Sequence, residues 1–340
     1  MSVRPLSRRS FLHTAGAAGL GTLVPSLARA QAYPAKPVKI VVGFAAGGGT
    51  DVLARLDAQG LADKLGQPFV VENKTGAGGN IATTFVAKSP ADGYTLLVSS
   101  VGQTVVSPHT DRTLQVDPLK DLAHITMLAE GDLLLGVHTD VPVKTIQEFI
   151  AYAKQNPGKL NYATAGAGSN LHLFTEYFMM TAGVDVQAVH YRGGTAMTPD
   201  LMSGQVQISL NGVYALDPYF RAGKLRPLVV LGRQREPRFP DVPTCTEIGM
   251  PQLAVCTNWF GLHAPAGTPE PIVQALYETT AAYLKSDGPR TKITGMGMRI
   301  GGDIPQAFTA RIAQDYKVFG EVARRANVQT SALVPNASLG

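Results

Sequence analysis

The sequence predicts an α/β protein made of two doubly wound lobes around a cleft. First, short runs rich in Val, Ile and Leu alternate with helical stretches, and the leading runs end in glycine-rich turns. Strands buried on both faces read as continuous apolar runs, and strand–helix alternation implies a parallel sheet. Its right-handed crossovers bring the turns to one edge, where ligands bind. Second, the pattern restarts after Pro157-Gly158, which calls for a second lobe whose own glycine-rich turn faces the first lobe's turns.

Residues 38–44 (VKIVVGF) form the first expected strand and 45–49 a turn almost without side chains. Thr50 or Asp51 is the expected cap of a helix through Leu53, Leu56 and Leu61. Such a turn suits an anion, because it presents unpaired backbone N–H groups at the positive end of a helix. Gly43 and Gly48 have the outer spacing of a phosphate loop and Thr50 follows at its Ser/Thr position, but Gly49 stands where the Lys is needed, and no Gly-x-Gly-x-x-Gly occurs. Residues 68–72 (PFVVE) are a second strand, 73–80 (NKTGAGGN) a second turn, 81–88 a helix and 94–99 (YTLLVS) a third strand. Residues 132–137 form a further apolar run, and 145–155 an amphipathic helix with Ile146, Phe149, Ile150 and Ala153 on one face. The restart supplies a strand at 160–163, a turn at 164–170 (TAGAGSN), a helix at 171–181, and strands at 186–189, 206–210 and 228–231. Helices at 272–285 and 304–325 have no sheet of their own and are expected on the first lobe. The expected division is 33–131 with 262–340 as lobe I and 132–261 as lobe II.

The chain has 340 residues, 45% hydrophobic and 16% charged, enough apolar material for two medium lobes. Residues 1–30 read as a twin-arginine export signal. Ser7-Arg8-Arg9-Ser10-Phe11-Leu12 precedes a Gly/Ala-rich apolar stretch, and Ala28-Arg29-Ala30 is the cleavage site, which places the protein in the periplasm. That segment carries four arginines and no acid, so removing it takes the formal charge from +5 to +1. No basic run follows, which argues against nucleic acid. An oxidising compartment permits a bridge between Cys245 and Cys256, with two buried thiols as the slightly favoured alternative, and no Cys/His cluster has metal-ligand spacing. No cofactor is expected.

The ordered motifs resemble the extracytoplasmic solute receptors of tripartite tricarboxylate transporters, the Bug-type receptors. They are Tyr33-Pro34-Ala35-Lys36-Pro37, 44–55, Val71-Glu72-Asn73, Gly76-Ala77-Gly78-Gly79-Asn80, Ala91-Asp92-Gly93-Tyr94-Thr95, Gly168-Ser169 with His172-Leu173, Tyr191-Arg192-Gly193-Gly194, Pro240-Asp241-Val242-Pro243-Thr244 and Ala264-Pro265-Ala266-Gly267-Thr268-Pro269. The resemblance implies a type II periplasmic binding protein fold and a cleft that closes on a small carboxylated solute. It also implies delivery to membrane permease subunits. Gly43 departs from the family, which often has Pro there.

The expected ligand contacts are Phe44, Ala45, Ala46, Gly47 and Gly48 in the first turn, with Gly76 and Ala77 in the second and Ser99 at the end of the third strand. The second lobe offers Thr164, Ala165, Gly168, Ser169, His172 and Asp217. Backbone N–H groups and the hydroxyls of Thr164 and Ser169 suit a carboxylate, and two facing grips suit a dicarboxylate, an amino acid or an aromatic acid. Asp217 is weighed as an ammonium acceptor against a turn residue, His172 as a contact against bonding its own loop, and Trp259 reads as core. The protein is expected to act as a monomer and not as an enzyme, because Ser169 lacks the Gly-x-Ser-x-Gly elbow of a hydrolase. An exported solute sensor is the rival within the binding class.

Overall fold

The computed structural model describes residues 33–191, 196–326 and 328. The export signal and Arg192 lie outside the described residues. Strand β1 (Val38–Val42) pairs in parallel with β2 (Phe69–Asn73) and β3 (Thr95–Ser100). The continuous apolar run has a physical reason: both faces are covered. Val38, Ile40 and Val42 pack against Leu53, Ala54 and Leu61 of α1 (Gly49–Leu65), while Val41 and Leu97 pack against Ala82 and Val86 of α2 (Asn80–Ala87). Helix α1 ends at Gly66, whose φ of 74° only glycine adopts without strain. A π-helical turn at Gly102–Val106 runs into α3 (Ser107–Thr110), and α4 (Pro118–Asp121) follows.

The pivotal element is β4 (Leu122–His138), a strand long enough to serve two sheets. Its first part pairs antiparallel with β9 (Thr257–Pro265), ending at Gly131↔Asn258 and Asp132↔Thr257. From Leu133 its partners are β7 (Ile208–Gly212) and β8 (Leu225–Leu231), both antiparallel. The sequence reading starts this strand at Asp132 and misses 122–131. Register slips between His124 and Thr126, and between Met127 and Ala129, break the alternation that would have revealed it. The second sheet continues β7–β5–β6, with β5 (Asn161–Thr164) parallel to β6 (Gln187–His190) and to β7.

Helix α5 (Ile146–Gln155) starts at Thr145, whose hydroxyl accepts from the Glu148 amide. Helix α6 (Asn170–Ala182) leads out of the second lobe's turn. Helices α7 (Thr198–Ser203) and α8 (Val213–Arg221) flank β7. Helix α9 (Glu270–Leu284) lies on α1, where Gly60 leaves room for the Tyr283 ring. Helix α10 (Asp287–Gly295) and the short β10 (Arg299–Ile300), which pairs with β4, have no counterpart in the sequence reading. Helix α11 (Pro305–Arg325) is, in the sequence reading, a helix of the first lobe. Its face of Phe308, Ile312, Phe319 and Val322 joins a core that includes α5 and α6, with Phe319 4.8 Å from Phe174. Trp259 is fully buried and donates to Asp315 at 2.9 Å, consistent with a core residue. Both cysteines are buried and unbridged, as read.

Candidate functional site

The glycine-rich turns converge because each follows a strand at the same end of its sheet. Asn73, the last residue of β2, donates to the Phe44 carbonyl and to Asp51, both at 2.9 Å, tying the first two turns together. A Cβ at Gly43 would lie 2.6 Å from the Gly79 Cα, so these turns touch backbone to backbone. Gln103 completes the rim by donating to the Gly79 carbonyl at 3.0 Å and accepting from the Ser100 amide. Across the cleft, Thr110 donates to the Gly168 carbonyl at 2.9 Å and Asn170 to Asn258 at 3.3 Å. The Tyr214 hydroxyl lies 3.1 Å from where a Cβ on Gly49 would sit. The second lobe's turns therefore face the first lobe's.

Several expectations change here. Neither Thr50 nor Asp51 caps α1. Gly48 is the capping residue, without a side-chain bond, and Asp51 is buried within the first turn. Its carboxylate accepts from the Gly47 amide at 2.9 Å, from Asn73 and from Arg55 at 3.0 Å. Burial pushes this carboxyl up, but the bonds from Arg55, Gly47 and Asn73 outweigh it and hold the group below the usual range. The Gly47 amide is therefore used by the loop itself. Ser99 is fully buried, bonded to Thr104 at 2.9 Å and His263 at 2.8 Å, so it supports the rim from beneath instead of offering a hydroxyl to the cleft.

Thr164 is also fully buried, and its hydroxyl closes a turn with Gly166. Ser169 is partly exposed and caps α6 by accepting from the His172 amide at 3.2 Å; its own O–H has only the Thr164 hydroxyl, at 3.5 Å, as an acceptor, a long contact that a ligand can replace. His172 accepts from the Gly168 amide through Nδ1 at 3.0 Å. Burial, helped by His190, pushes its pKa down to about 4, so it brings no positive charge. Asp217 lies inside α8 and begins no turn; Arg221 at 3.1 Å and Arg238 at 3.5 Å hold it. What remains exposed is backbone. Ala45, Ala46, Gly76 and Ala77 face solvent, Ala165 is half-buried, and the amides of Ala45, Ala46 and Ala165 make no hydrogen bond among the described residues.

Sequence reasoning missed Gln103, Asn258 and Tyr214. Gln103 follows the third expected strand but carried no motif. Tyr214 follows Asn211-Gly212 at the end of β7, where a parallel strand leaving the sheet is itself a signal. A cavity of about 780 Å³ lies at the strand crossing instead of at these turns, lined among others by Glu130, Asp132, Arg299 and Arg311. There Arg299 bonds Asp132 at 2.7 Å and Arg311 bonds Glu130 at 2.8 Å, an ion network across the join of the two sheets.

Residues 53–325 match the family model described as "Tripartite tricarboxylate transporter family receptor". The chain belongs to this family of solute receptors. The BugT protein of Bordetella pertussis is 37% identical over 267 residues, covering 78% of this chain and 79% of that protein. Among solved structures, Rpa4515 of R. palustris with adipate superposes with a TM-score of 0.81 at 37% identity, covering 87% of this chain and 99% of that one. MatC from Rhodopseudomonas palustris with bound malate has a TM-score of 0.78 at 33% identity, covering 85% and 99%. The fold of this family member is thus that of the periplasmic solute-binding proteins, as the motifs implied. No helix among the described residues is long and apolar enough to cross a membrane.

Proposed function

We propose that the protein captures a small carboxylated solute between two lobes, residues 33–131 with 262–340 and residues 132–261, and hands it to the permease subunits of a tripartite transporter. In this reading it is exported to the periplasm by the twin-arginine route with cleavage near Ala30, works as a monomer and performs no catalysis. The turns at 44–48, 76–77 and 165–169 hold the solute through those backbone N–H groups that the loops do not use themselves, Ala45, Ala46 and Ala165 among them, with Ser169 donating its hydroxyl. One observation carries most of the weight: two family members of the same fold, at 33–37% identity, are solved with adipate and with malate. The exposed, unbonded amides of Ala45 and Ala46 agree with it, since a carboxylate is satisfied by such donors.

A thermal-shift screen of carboxylic acids tests the reading. A solute present at 100 times its Kd adds about 2.7 kcal/mol to stability, a shift of several degrees. The absence of any shift across dicarboxylic, aromatic and amino acids, at concentrations up to 10 mM, would remove the proposal.

A further inference from the structure

We propose that Tyr214 is the side chain through which the second lobe closes on the solute: its ring docks on the first lobe beside the 44–48 turn, and its hydroxyl donates to the solute held there. This rests on the receptor reading above and adds to it one specificity-determining residue. Tyr214 is the second residue of α8, which starts where β7 ends at Gly212. Although it belongs to the second lobe, it packs against the first lobe's core, the cluster that contains Phe260 and against which Phe44 also lies. Glycines from both lobes make the room. A Cβ on Gly49, the residue that follows the 44–48 turn, would lie 3.1 Å from the Tyr214 hydroxyl, 3.2 Å from its Cζ and 3.4 Å from the Phe260 Cζ. A Cβ on Gly212 would lie 2.6 Å from the Tyr214 Cε1. A side chain at either position would push the ring out of its slot.

Packing accounts for the ring but not for the hydroxyl, since Phe would fill the same slot. Thr110 and Asn170, which also reach across the cleft, are paired with the Gly168 carbonyl and with Asn258. The Tyr214 hydroxyl has no hydrogen-bond partner among the described residues, and burial pushes its pKa up to about 12. It stays protonated at neutral pH and keeps a donor to give. A phenol enclosed without a partner costs free energy, and a solute oxygen beside the 44–48 turn removes that cost. Solute contact and lobe docking thus meet in one residue. A solute with no acceptor in reach of this hydroxyl, or one bulky enough to push the ring off Gly49, binds poorly.

Calorimetry at pH 7.5 on the mature protein with adipate and with malate tests this in two variants. Tyr214→Phe keeps the ring and loses only the hydroxyl. It is expected to weaken binding about tenfold, while the melting temperature of the solute-free protein stays the same or rises. Tyr214→Ala also loses the docking and is expected to weaken binding by about another tenfold. Affinity of Tyr214→Phe within about twofold of wild type overturns the inference and leaves the receptor reading standing, because the ring alone would then suffice. A clear fall in the solute-free melting temperature of Tyr214→Phe also overturns it, since the hydroxyl would then serve the fold. Equal affinities of the Phe and Ala variants overturn the docking. If neither acid binds wild type, the carboxylate returned by the thermal-shift screen takes their place, and a screen that returns nothing removes the receptor reading and this inference together.

Discussion

Replacing Asp51 with Ala tests whether the first turn is shaped from behind by a buried carboxylate. The side chain accepts from the Gly47 amide and Asn73 Nδ2 at 2.9 Å each and from Arg55 at 3.0 Å, and it is only 3% exposed. Arg55 is about half exposed, so its ion pair contributes little, within the 0–1 kcal/mol of surface pairs. The other two are hydrogen bonds to a charged acceptor, worth about 1.5–3 kcal/mol each in protected sites. Gly47 is exposed and water refills part of its loss, so a total near 2–3 kcal/mol is expected. The sign of the pH dependence follows from the lowered pKa. The contribution is present above the unfolded value of about 3.9 and is lost as pH falls through the folded one, so wild type and variant converge in acid. Urea unfolding followed by circular dichroism at pH 7 measures the difference. The variant is also expected to lose solute affinity although Asp51 touches no solute. A difference under about 0.5 kcal/mol together with unchanged affinity would refute the argument that this carboxylate builds the turn.

Three further outcomes follow from single positions. Asp57 is fully buried with one oxygen bonded to Thr280 and the other unpartnered, and burial pushes its pKa up to about 7. Its folded pKa exceeds the unfolded one, so wild type should lose stability relative to Asp57→Asn as pH rises from 4 to 7, by a few kcal/mol at most and with no further change above pH 8. A constant difference in urea midpoint across that range would contradict this. Ser169→Ala removes the cap of α6 and is expected to cost about 1 kcal/mol of stability together with a several-fold loss of solute affinity; unaltered calorimetry would take Ser169 out of the site. Gly47 has φ +84°, whereas Gly48 has φ −74°, so Gly47→Val should strain the turn by about 1–2 kcal/mol and impair binding more than Gly48→Val does. The reverse order in calorimetry would show that bulk at Gly48, not backbone conformation at Gly47, decides.

The central parallel strands β1, β3, β5 and β7 were legible because they are largely buried, which forces apolar runs, and because glycine-rich turns follow several of them. The stretch 122–131 was not, since it slips register twice and carries His124, Thr126 and Glu130 among its apolar residues although it is largely buried. Helix α8 was hidden by Pro218, a residue that sequence rules place at helix starts. In the candidate site the turns were legible and the individual side chains were not. Ser99, Thr164, His172 and Asp217 are all polar residues beside a glycine-rich turn, and each is engaged by a neighbour far away in sequence or a few residues along. Spacing along a chain reports which residues stand near a turn, but not whether their hydrogen-bonding capacity is already used. A turn with few side chains cannot hold its own shape, so the polar residues around it are drawn into holding it. The same requirement that makes the backbone available to a ligand removes the neighbouring side chains from the list of contacts.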